Sequence, residues 1–213
     1  MSRPFILITG FGPFPRLPVN PSGALAERVA ASPRLRGFRV RALVLRTAYA
    51  AIEAELAPAL AERPDAVLMI GVARRATRVR VEGRALNRAS RLAPDAAGRT
   101  AGRIVLDPAG PSIRRSAAAV PALVALRARG VPATASLDAG RYLCNAGYYR
   151  TLGEDCPALF LHIPMPPLTR RPRKPGPRQR GRLADLWADG FAEVARTLTI
   201  RARGRRVSCS SSG

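Results

Sequence analysis

Phe5-Ile6-Leu7-Ile8-Thr9 is followed, after a glycine- and proline-containing loop, by Asn20-Pro21 and the segment Ser22 to Ala31. A short apolar run of this kind suits a strand buried on both faces. Asn followed by Pro is a helix start. The same alternation recurs along the chain. Phe38 to Leu45, Ala66 to Ile70, Ala133 to Leu137 and Ala158 to Ile163 are further strand candidates. Ala48 to Arg63, Ser112 to Arg129 (stopped by Gly130) and Leu183 to Leu198 are helix candidates. Strands alternating with helices predict an α/β fold, here a single-domain three-layer sandwich with a mostly parallel central sheet and helices on both faces.

One segment departs from this rhythm. Thr77 to Leu86 alternates like a strand or hairpin arm, with Val79 and Val81 on one face and Glu82 opposite them. The domain is expected to occupy residues 1–199. Within it, Thr169 to Arg182 holds six arginines, one lysine, three prolines and no acid, which predicts an exposed loop. Residues 200–213, arginines followed by serines, predict a disordered tail. No internal repeat is visible.

With 213 residues, 47% of them hydrophobic, the chain can bury a full core. No apolar run approaches the roughly 18 residues that a membrane span needs, and no cleavable leader is recognisable after Met1, so a cytoplasmic protein is expected. Cys144, Cys156 and Cys209 have neither the spacing of a zinc site nor the even number of a disulfide framework. The formal charge of +22 invites a polyanion partner. However, of the 36 basic residues only Lys174 is lysine, and the 35 arginines are spread through an Ala-, Pro- and Gly-rich chain. That pattern is one of compositional drift, and nucleic acid is not the expected partner.

Three side chains carry the chemistry. His162 is the sole histidine and stands at the carboxyl end of a predicted strand, the end where open α/β sheets bind ligands. A core histidine bonded to backbone is the plain alternative. Cys144 follows a predicted strand and opens a predicted helix, where backbone amides favour an anion, the nucleophilic form of a thiol. Cys156, beside Pro157, fits the alternative of a small buried hydrophobe. Glu82 is the only acid between Asp65 and Asp95, amid many arginines, and by itself suits a salt-bridge hub. Thiol, imidazole and carboxylate together follow the logic of a nucleophile, its base and an orienting group.

Four blocks of residues resemble the pyroglutamyl-peptidase I (pyrrolidone-carboxylate peptidase) family of cysteine peptidases. They are Thr9-Gly10-Phe11-Gly12-Pro13-Phe14 with Asn20-Pro21-Ser22; Glu82 with Ala85 and Asn87; Ser136, Ala139-Gly140, Tyr142 and Cys144-Asn145; and His162-Ile163-Pro164. Order and rough spacing agree over about residues 5 to 199. The resemblance implies a thiol protease that removes N-terminal pyroglutamate from peptides through a thioester, with Cys144 as nucleophile, His162 as base and later acid, and Glu82 orienting the imidazole. It implies Phe11 and Phe14 as the wall for the lactam ring, although both also suit core filling. It implies no metal or organic cofactor, and it raises a homo-oligomer, dimer or tetramer.

Departures accompany the match. Where the family has Gly-Gln-Ala-Gly-Gly-Arg beside its substrate pocket, this chain has Gly71-Val72-Ala73-Arg74-Arg75-Ala76, so Gly71 and Val72 are expected to border a bulkier, more positive pocket. Gly83 stands where the family has arginine, and Arg91 matches a family arginine only with a shift of one place. Two other readings therefore stay open: a thiol hydrolase of the same fold acting on another small amide or acyl compound, and a basic polyanion-binding protein.

Overall fold

The computed structural model describes residues 2–14, 17–165 and 177–210. Strands β1 (Phe5–Phe11), β2 (Arg39–Leu45), β3 (Ala66–Ala73), β4 (Val79–Glu82), β7 (Ala133–Ser136) and β8 (Ala158–Pro164) form one sheet in the order β2-β1-β3-β8-β4-β7. The first four are mutually parallel, β4 runs antiparallel to β8, and β7 is parallel to β4. Two short strands, β5 (Arg84–Leu86) and β6 (Ile113–Arg115), pair separately.

Alternate residues of the strands feed two cores. On one face Ile6, Ile8, Leu68, Ile70, Leu159 and Leu161 pack with helices α1 (Pro21–Ala30), α3 (Ala119–Ala128) and α5 (Pro177–Ser210). On the other, Phe5, Leu7, Val67, Met69 and Phe160 meet α2 (Ala57–Ala61) and α4 (Leu143–Thr151). Each fully buried aliphatic or aromatic side chain contributes about 1.5–3 kcal/mol. The layers are those expected from the sequence. Among the described residues no helix is long and apolar enough to cross a membrane.

The element bounds differ from expectation in four places. Thr77 to Leu86 is not one arm: Gly83 separates β4 from β5, its N–H donating to Ser136 O (2.7 Å) while its carbonyl accepts from Ser116 N–H (3.0 Å). The helix expected from Ser112 begins at Ala119. Ile113–Arg115 are drawn off to pair with β5, and Ser116 Oγ accepts from Ala118 N–H (3.2 Å). The segment Ala48 to Arg63 contains a wide π turn over Ile52–Leu56 before α2. Pro58 explains it, since it has no N–H for Ala54 O and its ring crowds that carbonyl.

The fourth difference concerns the basic segments. Of the expected loop 169–182, residues 169–176 lie outside the described residues, and Pro177 to Arg182 open α5. That helix also takes in residues 200–210 of the expected tail; residues 211–213 lie outside the description. Arg, Ala and Leu are strong helix formers, Pro177 suits a first turn, and Ala202 continues the buried stripe of Leu198 one turn on.

Candidate active site

The carboxyl ends of β1, β3 and β8 and the start of α4 converge. Gly10, next to last in β1, has no side chain because a Cβ there would run into the backbone carbonyl of Ser22 at the start of α1. Ser22 Oγ in turn accepts the Phe11 N–H (3.1 Å), and Asn20 Nδ2 donates to Gly12 O (3.0 Å). The loop after β1 is thereby fastened over the sheet.

His162 is aligned in register with Gly71 of β3 and Arg80 of β4. Its ring is 5% exposed and packs on Phe160 with centroids 4.6 Å apart. Nδ1 is 2.9 Å from Glu82 Oε1. A carboxylate only accepts, so Nδ1 carries the proton of that bond and Nε2 is left for another partner. That partner is the thiol of Cys144, the second residue of α4. Burial of the ring opposes its charge. The Cys144 sulfur and then the Glu82 carboxylate outweigh that penalty and raise the imidazole from 6.5 to about 9.

Gly71 admits the sulfur. A Cβ there would stand 3.1 Å from Cys144 Sγ and 2.7 Å from Phe160 Cζ, so any larger residue would push into the gap between thiol and sheet. Glu82 is fully buried rather than a surface hub. Its Oε1 lies 3.4 Å from Arg80 Nε, and Arg80 is itself held by Ser136 Oγ (2.6 Å) and Asp138 O (2.9 Å).

The structure therefore brings Cys144, His162, Glu82 and Gly71 together. Phe11 is buried at the end of β1, 6.4 Å from the Phe160 ring between centroids, in the same core against which Cys144 packs. Phe14 is half-buried in the following loop, where its backbone bridges to Leu17. Val72 corrects an expectation. It follows Gly71 on a strand, so its side chain turns to the opposite face and packs on the core of α1, α3 and α5. Only its main chain remains on the side of the thiol.

Three residues that sequence reasoning did not assign to the site hold it in shape. Buried Asn145 accepts the Leu86 N–H at Oδ1 (2.8 Å) and donates through Nδ2 to Leu86 O (2.8 Å) and Arg88 O (2.9 Å), tying the start of α4 to the segment beyond Glu82. Tyr148 donates its hydroxyl to Glu82 O (2.8 Å). Arg80 faces the carboxylate. The sequence carried a signal only for Arg80, two residues before Glu82 and hence on the same face of a strand. Among the described residues no three His, Cys, Asp or Glu side chains are grouped to hold a metal ion.

The pyroglutamyl peptidase family matches residues 5–169. The chain belongs to that family. It is 38% identical over 169 residues to the pyrrolidone-carboxylate peptidase of Gloeobacter violaceus, covering 76% of this chain and 82% of the relative. It is 36% identical over 170 residues to that of Streptomyces coelicolor, covering 76% and 78%. Among solved structures, the pyrrolidone carboxyl peptidase of Thermus thermophilus superposes with a TM-score of 0.76 at 31% identity, covering 89% of this chain and 97% of that one. The enzyme from Thermococcus litoralis gives 0.81 at 25% identity, covering 95% and 96%. The family match spans β1 to β8, and with it Glu82, Cys144 and His162.

Proposed function

We propose that this pyroglutamyl peptidase family member removes N-terminal pyroglutamate from peptides by nucleophilic catalysis at Cys144. The observation that carries the reading is the fully buried Glu82 carboxylate 2.9 Å from His162 Nδ1, with the Cys144 thiol as the ring's other partner. With the imidazole raised to about 9, the ring carries its second proton at neutral pH beside the Cys144 sulfur, which in this reading reacts after giving up its own proton. The thiolate attacks the carbonyl that joins the pyroglutamyl group to the next residue. The carbonyl oxygen gathers negative charge near the first turn of α4, whose N–H groups have no helical acceptor of their own.

His162 then gives its Nε2 proton to the departing amine, and a thioester on Cys144 remains. The now neutral ring takes a proton from water, the hydroxide adds to the thioester, and pyroglutamate leaves as the sulfur regains its starting form. Glu82 keeps the ring in one tautomer throughout and offsets the imidazolium charge. Selectivity for pyroglutamate comes from a closed lactam site with no space or partner for a free α-ammonium group.

The test is hydrolysis of pyroglutamyl-7-amido-4-methylcoumarin by the wild type beside Cys144→Ala and His162→Ala. Coumarin release by the wild type alone supports the reading. Equal rates in all three overturn it. No release, with selective alkylation of Cys144 by iodoacetamide and turnover of other acyl compounds, moves the activity to a different small amide or ester.

A further inference from the structure

Arginine is spread over the whole chain, but acid is not. Around α1 and α5, Arg28, Arg34, Arg129 and Arg196 pair with Asp185, Asp189 and Glu193. At the other edge of the sheet Arg39 and Arg41 share Glu62. Between Asp65 and Asp95, by contrast, seven arginines accompany a single acid, Glu82, and that buried carboxylate is taken up by His162 and Arg80. The positive charge left over has no counter-charge within the segment.

The sheet register places that excess at the mouth of the site. Gly71, His162 and Arg80 stand side by side across β3, β8 and β4, in the row against which the Cys144 sulfur packs. Beyond that row β3 runs on to Ala73, beside Pro164, and then turns. Ala76 N–H donates to Ala73 O (3.0 Å), with Arg74 and Arg75 exposed at the corner. Arg78, on the way back, is exposed and directly precedes Val79, whose side chain lies in the core of α1, α3 and α5. Strand alternation therefore directs Arg78 to the other face, that of Arg80, Glu82 and the thiol, one step of about 7 Å further out than Arg80. On the opposite bank Arg141 O accepts from Ser90 N–H (2.6 Å), and Arg88 O accepts from Asn145, the residue after Cys144 (2.9 Å). The side chains of Arg74, Arg75, Arg78, Arg88 and Arg141 are exposed, and none has a carboxylate within ion-pair distance among the described residues.

A pyroglutamyl peptide has its α-amino nitrogen locked in a lactam, so it brings no ammonium to be repelled by such a rim. The residue after the scissile carbonyl begins about 3.5 Å beyond it, and its side chain extends toward guanidinium groups one step further out. The planar fork of arginine meets a carboxylate through two parallel N–H···O bonds, and a cleft lined by one sign of charge draws in ligands of the other.

We propose that this mouth selects pyroglutamyl peptides whose next residue is acidic, with Arg74, Arg75 and Arg78 receiving its carboxylate while the lactam lies at Cys144. The proposal rests on the pyroglutamyl reading and names the substrate class within it.

The test compares pyroglutamyl-Glu-Ala, pyroglutamyl-Gln-Ala and pyroglutamyl-Lys-Ala, following the released dipeptide. In the wild type at low salt, kcat/KM should be about 10-fold higher for the Glu than for the Lys peptide, with Gln between them. The ratio should shrink toward unity as ionic strength rises to about 1 M and the screening length falls to about 3 Å. Arg74→Gln/Arg75→Gln/Arg78→Gln should bring the low-salt ratio below about three. Because both peptides are read on one sample, the ratio does not depend on how much of the variant is folded. Arg3→Gln/Arg36→Gln/Arg63→Gln removes the same charge before the amino ends of β1, β2 and β3 and should keep the wild-type ratio, which separates a local contact from the field of the whole chain. A wild-type ratio within about two-fold of unity overturns the proposal and leaves the pyroglutamyl reading standing. So does a ratio unchanged in the first triple variant or lost equally in both. Release from none of the three peptides overturns that reading and the proposal with it.

Discussion

The two ends of β8 place a half-buried cysteine in two unlike settings. Cys156 lies just before the strand starts, in a cleft of about 370 Å³ shared with Arg115, Glu154, Asp155 and Arg201. Cys144 lies toward the strand's other end, beside Gly71 and His162. Cys156 has space and charged neighbours; Cys144 has a buried imidazole with a carboxylate behind it. A spacious cleft therefore says little about whether a thiol attacks. Under the proposed mechanism a positioned proton acceptor decides it, and this chain has one histidine to place.

Substitution at the two thiols is the strongest way to break that contrast. Cys144→Ala should lower kcat/KM by about 10⁴-fold or more, with the melting temperature little changed. Cys156→Ala should leave the rate within two-fold. Comparable losses at both positions would mean that the cleft, not the imidazole, makes a thiol reactive here.

Glu82→Gln tests the support behind the base. The amide keeps the shape but can present its NH₂ to Nδ1 and favour the wrong tautomer, so a loss of about 10²- to 10⁴-fold in kcat is expected. The pH dependence sharpens the point. His162 has a folded value of about 9 against 6.5 unfolded, so its charged form stabilises the fold fully below pH 6.5, and that contribution disappears as pH rises through about 9. Removing the carboxylate lowers the folded value. The alkaline loss of both melting temperature and kcat/KM should then begin at lower pH in Glu82→Gln than in wild type, read from paired pH profiles.

Much of this arrangement was legible in the chain itself, for reasons that differ by residue. Phe5 to Thr9 and Ala158 to Ile163 announce buried strands because both faces of a central parallel strand are apolar. The helix at Cys144 and the strand end at His162 follow from the same logic. Pairing partners were not legible. Glu82 looked like a surface hub amid arginines, whereas β4 inserted antiparallel to β8 seals it under Tyr148 and against the ring. Val72 looked like a pocket residue by position, but the strand's period of two turns its side chain to the other core. Basic composition suggested loop and tail at 177–182 and 200–210, where arginine's good helix propensity and the stripe of Leu198 and Ala202 carry α5.

Gly71→Ala probes the closeness of the Cys144 sulfur to the sheet. The added methyl meets Phe160 at 2.7 Å and Cys144 Sγ at 3.1 Å, and of the two the sulfur is the easier to displace. Overpacking of this kind costs about 1–3 kcal/mol. Displacing a nucleophile by about 1 Å costs up to about 10²-fold in rate. Both should appear together, in a denaturation curve and in kcat. A full rate with a lowered stability would mean that the strain is taken up by Phe160 instead.

The smallest effect expected separates the two ends of α4. At its start, Asn145 meets three backbone groups of residues 86 and 88, and Asn145→Ala leaves an N–H and two carbonyls buried without that partner. Leaving such groups unmet costs about 1–3 kcal/mol each at most, and partial relaxation makes the sum smaller. At its end, Thr151 Oγ1 bonds only to Gly147 O one turn back, at 2.8 Å within the same helix, and that carbonyl has a helical partner as well. Thr151→Ala should therefore lower the melting temperature by less than Asn145→Ala, and only the Asn145 change should also slow acylation of Cys144. Equal shifts with equal rates would show that the helix as a whole, rather than its tether to residues 86–88, holds the sulfur in line.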